Sequence, residues 1–306
     1  MTLIINITTP EGIVLASDSR QTIRNNDVRR VFTDNTRKLF RVNDRVMVGT
    51  AGLAFFVDET GIQKNMSKYM DEFTKSMDLA DLTVKEVAHN LHDFINNKYP
   101  WEQQLDMSAK QLRIETEKSG AQILSLEKLS DSIKFKIKQL NGRIEEGRLN
   151  IELIEMIVAG FNKDGTAETY ILQSPGSITK KRGFHEHGST WIGQGDTVAR
   201  ILLGYDAKLL NLPIIKKNIK NEVNELTNQL HGLEYNINWN LMNLQDAVNL
   251  AVFLINTTAF IQQYADGVFM DSGDVQGVGG PIDVAIITEK DGIRWIRQKK
   301  ITYPES

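Results

Sequence analysis

The sequence predicts an α+β fold: two stacked antiparallel sheets covered by helices on both outer faces. Three observations lead there. The elements come in blocks along the 306 residues, in the order strands, helices, strands, helices, strands. The strands occur as hairpins, and hairpin partners pair antiparallel. The helices come in pairs, and a layered sandwich is the arrangement that buries sheet and helix faces together.

The elements follow in order. LIINIT at 3–8 is β-branched and apolar, PEG at 10–12 is a turn, and IVLAS at 13–17 is a second strand. The polar stretch 20–36 reads as loop. KLFRV, ND and RVMVGTAG then repeat the strand–turn–strand pattern, so the first 52 residues read as two hairpins. From about 54 to 77, Phe55, Phe56, Ile62, Met66, Tyr69, Met70 and Phe73 keep helical spacing. A second helix is expected over about 82–97, with Asp81 or Thr83 as cap and KYPW as its end.

Over 108–149, Leu126, Leu129, Ile133, Ile137, Leu140 and Ile144 step by threes and fours, which predicts one long helix with a heptad-like stripe. Residues 151–160 and 167–173 read as a strand pair around NKDGT, and TVARILLGY as a helix. Ile219, Val223, Leu226, Leu230 and Leu233 form a second heptad stripe. The apolar segment 246–264 predicts a helix buried on most sides, and PIDVAIIT with IRWIRQKKI a closing hairpin.

Composition narrows the function classes. Hydrophobic residues make up 41% and charged residues 25%, as in ordinary globular proteins. The formal net charge of -3 gives no basic field for nucleic acid. The absence of cysteine removes disulfides, thiolate metal sites and cysteine nucleophiles together. No signal-peptide pattern is evident at the start, and no apolar run is expected to reach the roughly 18 residues that span a bilayer. The expectation is a cytoplasmic protein with no membrane partner.

Chemistry is suggested by the start MTLIINITTPEGIVLASDSR. Once Met1 is trimmed, Thr2 would offer a hydroxyl nucleophile and a free amine to take its proton. An α-amino group titrates at roughly 7.7–8.0, so a useful fraction is neutral near neutral pH. Such a nucleophile needs a cation that keeps the amine neutral, a carboxylate to fix that cation, and a backbone N–H to hold an oxyanion. Asp18, Lys38 and Gly52, at the ends of the two hairpins, are candidates for these parts.

The residues also carry a resemblance. Asp18 follows Thr2 by sixteen positions, within Ala16-Ser17-Asp18-Ser19-Arg20-Gln21-Thr22. Lys38-Leu39 opens a strand, and Thr50-Ala51-Gly52 precedes the first long helix. This pattern resembles proteasome β-type subunits and the related bacterial two-component peptidase, both N-terminal-nucleophile (Ntn) hydrolases. More faintly, Trp191-Ile192-Gly193-Gln194-Gly195 resembles that family's G-S-G turn, and Val278-Gly279-Gly280-Pro281-Ile282-Asp283-Val284 its S-G-G segment. The resemblance implies a single four-layer αββα domain over 1–306, interrupted by helical insertions at about 100–150 and 208–245. It implies a threonine-type peptidase with Thr2, Asp18, Lys38 and Gly52 catalytic. Arg20, Gln21, Thr22, Thr50 and Ala54 would line a cleft for a peptide or protein substrate.

No cofactor or metal is implied, and homo-oligomeric assembly is expected. Three positions depart from the pattern. Gln194 and Val278 stand where the family commonly has Ser, and Val275 where it has Asp, with Asp274 one residue out of register. Gln194 and Asp274 are therefore candidate supporting residues. Two alternatives remain: an amidase or transpeptidase with a different acceptor, and an inactive assembly protein. The two heptad stripes leave two readings: each packs against its own domain, or the inserted helices pair as an arm or lid beside the active site or as an assembly surface.

Other clusters are weaker. His89 with His92, and His185-Glu186-His187, lack a third metal ligand. Lys180-Lys181-Arg182 reads as a solvated turn, and the glycine pairs lack the context of a phosphate loop.

Overall fold

A computed structural model describes residues 2–25, 28–58, 60–129, 131–218, 223–265 and 275–300. The first hairpin is β1 (Leu3–Thr9) and β2 (Gly12–Ser17), every residue of which is buried. Such runs are apolar without alternation because both faces of the strand are covered. β3 (Gln21–Asn25) and β4 (Val28–Thr33) follow as a second hairpin, where the sequence suggested a loop. The β-branched Thr22, Ile23, Val28, Val31 and Thr33 favour extension, but interspersed arginines hide the pattern. β5 (Leu39–Arg41) and β6 (Val46–Gly52) pair across a turn in which Asn43 Oδ1 accepts from the N–H groups of Arg45 and Val46, each at 2.8 Å.

The expected helix over 54–77 starts late. β7 (Phe55–Val57) and β8 (Gln63–Asn65) form a small hairpin, and α1 (Met66–Ser76) begins only where Asn65 accepts from Lys68 N–H. Asp58 overrides the helical spacing: its Oδ1 accepts from the N–H groups of Thr60 and Ile62, winding a turn. α2 (Val84–Lys98) is held at its start by a capping box between Thr83 and Glu86.

The insertion is the largest correction. α3 (Trp101–Lys118) is helical, but β9 (Gln122–Lys128), β10 (Ser132–Lys138) and β11 (Ile144–Asn150) make a three-stranded antiparallel sheet. Ile133 and Ile137 lie four apart, a step that keeps one face of a strand as well as of a helix. The turns were also legible. Gly120 (φ +69°) ends α3, and Gly142 (φ +80°) follows Asn141 in the β10–β11 turn. Leu105, Ile133 and Ile151 form this unit's own small core. A pair of long inserted helices is therefore not what the chain builds.

β12 (Ile154–Phe161), β13 (Ala167–Ser174), β14 (Ile178–Arg182) and β15 (Gly188–Gly193) come next, then α4 (Asp196–Leu203). The short helices α5 (Lys208–Asn211) and α6 (Pro213–Asn218) precede the second heptad stripe, of which Val223, Leu226 and Leu230 fall in α7 (Val223–Leu230). Leu230 is buried whereas Leu233 is exposed, so the stripe does not share one face, and Ile219 lies outside the described residues. The chain closes with α8 (Leu244–Tyr264), β16 (Asp283–Thr288) and β17 (Gly292–Arg297).

Two five-stranded antiparallel sheets result, β15-β1-β2-β16-β17 and β14-β13-β12-β6-β5. Alternating residues sort into three cores. Ile4, Ile13 and Leu15 of the first sheet meet Met47, Ile157 and Ala159 of the second. Val46, Val48, Met156 and Val158 face Tyr69, Phe73, Leu91 and Ile95 of α1 and α2. Leu3, Ile5 and Ile7 face Val198, Ala247, Ala251 and Leu254 of α4 and α8. The fold is thus mixed α and β, with each sheet backed by helices.

α8 differs from expectation in two ways. By length and composition alone it could cross a membrane, with a mean hydropathy of 1.4. Nor is it buried on most sides: Ala247, Ala251, Leu254 and Ile255 pack on the first sheet, whereas Phe253, Phe260 and Tyr264 are exposed.

Candidate functional site

The ends of the hairpins converge on one cavity of about 700 Å³. Thr2, at the head of β1, lines it together with Lys38, Thr50, Ala51 and Gly52. Thr2 is held through its backbone: its carbonyl accepts from Gln194 N–H at 2.8 Å. Gly193, φ +82°, lets the chain pass there, because a Cβ would run into the Thr2 carbonyl. Gly52, φ +83°, is constrained likewise by the Leu153 carbonyl.

Asp18 sits at the end of β2, completely buried, and four donors converge on it. Its Oδ1 accepts from Lys38 Nζ at 2.7 Å and Leu3 N–H at 3.0 Å. Its Oδ2 accepts from Gly279 N–H at 3.1 Å and Arg20 N–H at 3.2 Å. The same Lys38 Nζ donates to the Arg20 carbonyl at 2.7 Å. Donors on both oxygens replace the water that a buried carboxylate loses, which is what keeping its charge in a low-dielectric site requires. Burial pushes the Lys38 ammonium below an ordinary lysine, and Asp18 opposes that shift.

Gln21, Thr22, Thr50 and Ala54 line the cavity. Arg20 does not. Its guanidinium forms a bidentate pair with Asp34 at 2.7 and 2.9 Å and donates to Gln276 Oε1 at 2.7 Å, locking the loop before β16. The sequence motif correctly ties Arg20 to this neighbourhood, but its side chain clamps a loop instead of lining the cleft. Further walls come from the β3–β4 hairpin, through Ile23, Arg29 and Phe32, from Asn65, Met66 and Ser67 at the start of α1, and from Glu152 and Leu153 before β12.

The unusual positions take defined places. Gln194 Oε1 accepts from Gln262 Nε2 of α8 at 2.9 Å. Gln262 Oε1 in turn accepts from the N–H groups of Gly277 and Val278 at 3.0 and 2.9 Å. Val278 is fully buried in the core beneath α4 and α8. Asp274 lies outside the described residues. Sequence reasoning missed Gln262 and Gln276, which sit far along the chain with no local motif. It also missed Lys299, whose Nζ pairs with Asp283 and donates to Ser19 Oγ at 2.8 Å.

The other candidates stay apart from the cavity. His92 Nε2 lies 3.0 Å from the Gln173 carbonyl and His187 Nδ1 2.6 Å from Asn240 Oδ1. Among the described residues, no group of three or more His, Cys, Asp or Glu side chains is arranged to hold a metal ion.

The proteasome subunit family profile matches residues 2–108, the stretch that supplies most of this site. The match supports a proteasome-like relationship for that third of the chain. No curated protein matches the chain.

Proposed function

We propose that this chain is a proteasome-like N-terminal threonine hydrolase that cleaves peptide or amide bonds through an acyl-enzyme on Thr2, after removal of Met1. One observation carries the reading: Thr2, Lys38 and Gly52 line a single cavity, with Asp18 buried directly behind Lys38. In this reading Thr2 Oγ attacks the substrate carbonyl carbon while the Thr2 amine takes the hydroxyl proton. The Gly52 N–H stabilises the oxyanion. The amine then delivers its proton to the leaving nitrogen as the C–N bond breaks, leaving an ester on Thr2. Water, losing a proton to the same amine, releases the acid and regenerates the hydroxyl. Lys38 keeps the amine in its neutral form by charge, and Asp18 orients Lys38. Gln21, Thr22, Thr50 and Ala54 line the substrate cleft, where an extended peptide can pair with strand backbone.

The three cores support a four-layer αββα arrangement in one domain, with the segments 101–150 and 208–243 as additions to it. Homo-oligomeric assembly and a cytoplasmic location belong to the same proposal.

A second reading, an inactive assembly protein, draws on Val278, which places an apolar side chain in the core where the family commonly has a hydroxyl. One experiment separates the two. Met-trimmed protein is treated with a peptide epoxyketone, which needs both a hydroxyl and a free amine, and the intact mass is measured. One adduct, absent from Thr2→Ala, is expected; trimmed protein that is never modified removes the first reading.

A further inference from the structure

Behind the Lys38–Asp18 pair stands a second lysine–carboxylate pair that the mechanism above leaves unused. Lys299 follows β17; its Nζ pairs with Asp283 Oδ2, and its backbone N–H donates to Asp283 Oδ1 at 2.8 Å. Asp283 is buried at the start of β16, opposite Ser17 of β2. The same Lys299 Nζ donates to Ser19 Oγ at 2.8 Å. Ser19 is fully buried and stands between the Asp18 carboxylate and the Arg20 carbonyl, the two acceptors of Lys38 Nζ. Its N–H donates to the Gly279 carbonyl and its carbonyl accepts from Thr36 N–H, both at 3.0 Å. Lys299 therefore grips the turn that presents both acceptors to Lys38.

We propose that Lys299 is a positioning residue for the Lys38–Asp18 pair: anchored on Asp283, it fixes the Ser17–Arg20 turn and brings a second positive charge within reach of the Lys38 ammonium. The proposal extends the hydrolase reading above, assigning a role to a residue near the far end of the chain. Three charged groups act on Lys38 from three elements. Asp18, at the end of β2, and Asp34, between β4 and β5, favour its charged form. Lys299, after β17, disfavours it, adding to the larger effect of burial. A residue that only rivets the last strand to the sheet would leave the Lys38 titration where it was.

The test follows Lys38 directly. Full-length protein is labelled with 13C at the lysine ε-carbon, and the Lys38 resonance is identified by its loss in Lys38→Arg. The Lys38 midpoint is expected to rise in Lys299→Met and to stay near wild type in Lys299→Arg. Lys299→Met leaves Asp283 buried without its cation, which destabilises folds, so the neutral double variant Asp283→Asn/Lys299→Met is titrated as well. The same rise is expected there; an unchanged midpoint in the folded double variant overturns the proposal. A more fully charged Lys38 would by itself favour the neutral amine, so the release of the Ser17–Arg20 turn is what should slow epoxyketone labelling several-fold in Lys299→Met, with recovery in Lys299→Arg. An unslowed Lys299→Met also overturns it. If the wild type is never labelled, the hydrolase reading falls, and the Lys38 midpoint alone decides for or against the positioning role.

Discussion

Lys38 and Lys128 each reach an aspartate oxygen at 2.7 Å, yet the two pairs belong to different physical regimes. The Lys38 and Asp18 side chains are 4% and 0% exposed; those of Lys128 and Asp106 are 42% and 60% exposed. The first pair joins the two hairpins at the floor of the cavity. The second fastens β9 to α3 on the surface of the inserted unit. Distance is therefore a poor guide to what an ion pair does: solvent decides how much of the attraction survives, and how much desolvation opposes it. The buried pair can set a protonation state because water is excluded, whereas the exposed pair is screened.

The largest expected effect comes from breaking the buried pair. Lys38→Met leaves the Asp18 carboxylate buried with only backbone donors, and loss of one partner from such a pair costs about 3–5 kcal/mol. Urea unfolding should show that loss, and epoxyketone labelling should disappear with it. The pH dependence has a definite sign. Burial holds the Lys38 midpoint below the ordinary lysine value of 10.5. As pH rises between the native midpoint and that value, the unfolded chain keeps a proton that the native protein has released. Stability from this group therefore increases with pH across that window. The wild type should gain on Lys38→Met as pH climbs through it; a constant difference would mean that both states hold the proton alike.

A smaller and more local loss is expected in the inserted unit. Leu105 is almost fully buried against Ile133 and Ile151, and truncating such a leucine costs about 2–5 kcal/mol, toward the lower end where the site can collapse. Leu105→Ala should speed amide exchange across β9, β10 and β11 while epoxyketone labelling stays near the wild-type rate. One strut joins the regions. Leu153 packs against the small core and also lines the cavity, and its carbonyl accepts from Leu53 N–H at 3.2 Å. A marked drop in labelling by Leu105→Ala would show that the inserted unit supports the site through Leu153.

The same two regions explain how far the sequence could be read. Around the site the information is local: β1, β2, β5 and β6 are short, largely apolar runs closed by short turns, and Thr2, Asp18, Lys38 and Gly52 fall at their ends. Such strands cannot be mistaken for amphipathic helices, so both the hairpins and the candidate side chains were legible. The insertion is half exposed, and its apolar residues are few. With Ile133 and Ile137 four apart, helix and strand periods agree, and the deciding signals were Gly120 and the Asn141-Gly142 turn. Arg20 failed differently: its motif was visible, but its partner Gln276 lies 256 positions away. Lys299 and Gln262 had no motif at all, since only the folded sheets bring them to Ser19 and Gln194.

The smallest effect is expected at the surface pair, and it tests the comparison most directly. If separation alone set the strength of an ion pair, Lys128 and Asp106 would match the pair at the cavity floor. In a double-mutant cycle of Lys128→Ala and Asp106→Ala, the coupling energy should instead be at most about 1 kcal/mol. It should shrink further between 0.01 M and 1 M salt, as the screening length falls from about 30 Å to about 3 Å. Fixing a long lysine side chain also costs rotamer entropy, which offsets part of the gain in high dielectric. A coupling of several kcal/mol that persists in high salt would mean that the β9–α3 surface is covered in solution, as it would be if another polypeptide packed over this unit. A value near zero keeps the division between a dry pair beside the cavity and a wet pair on the surface of the inserted unit.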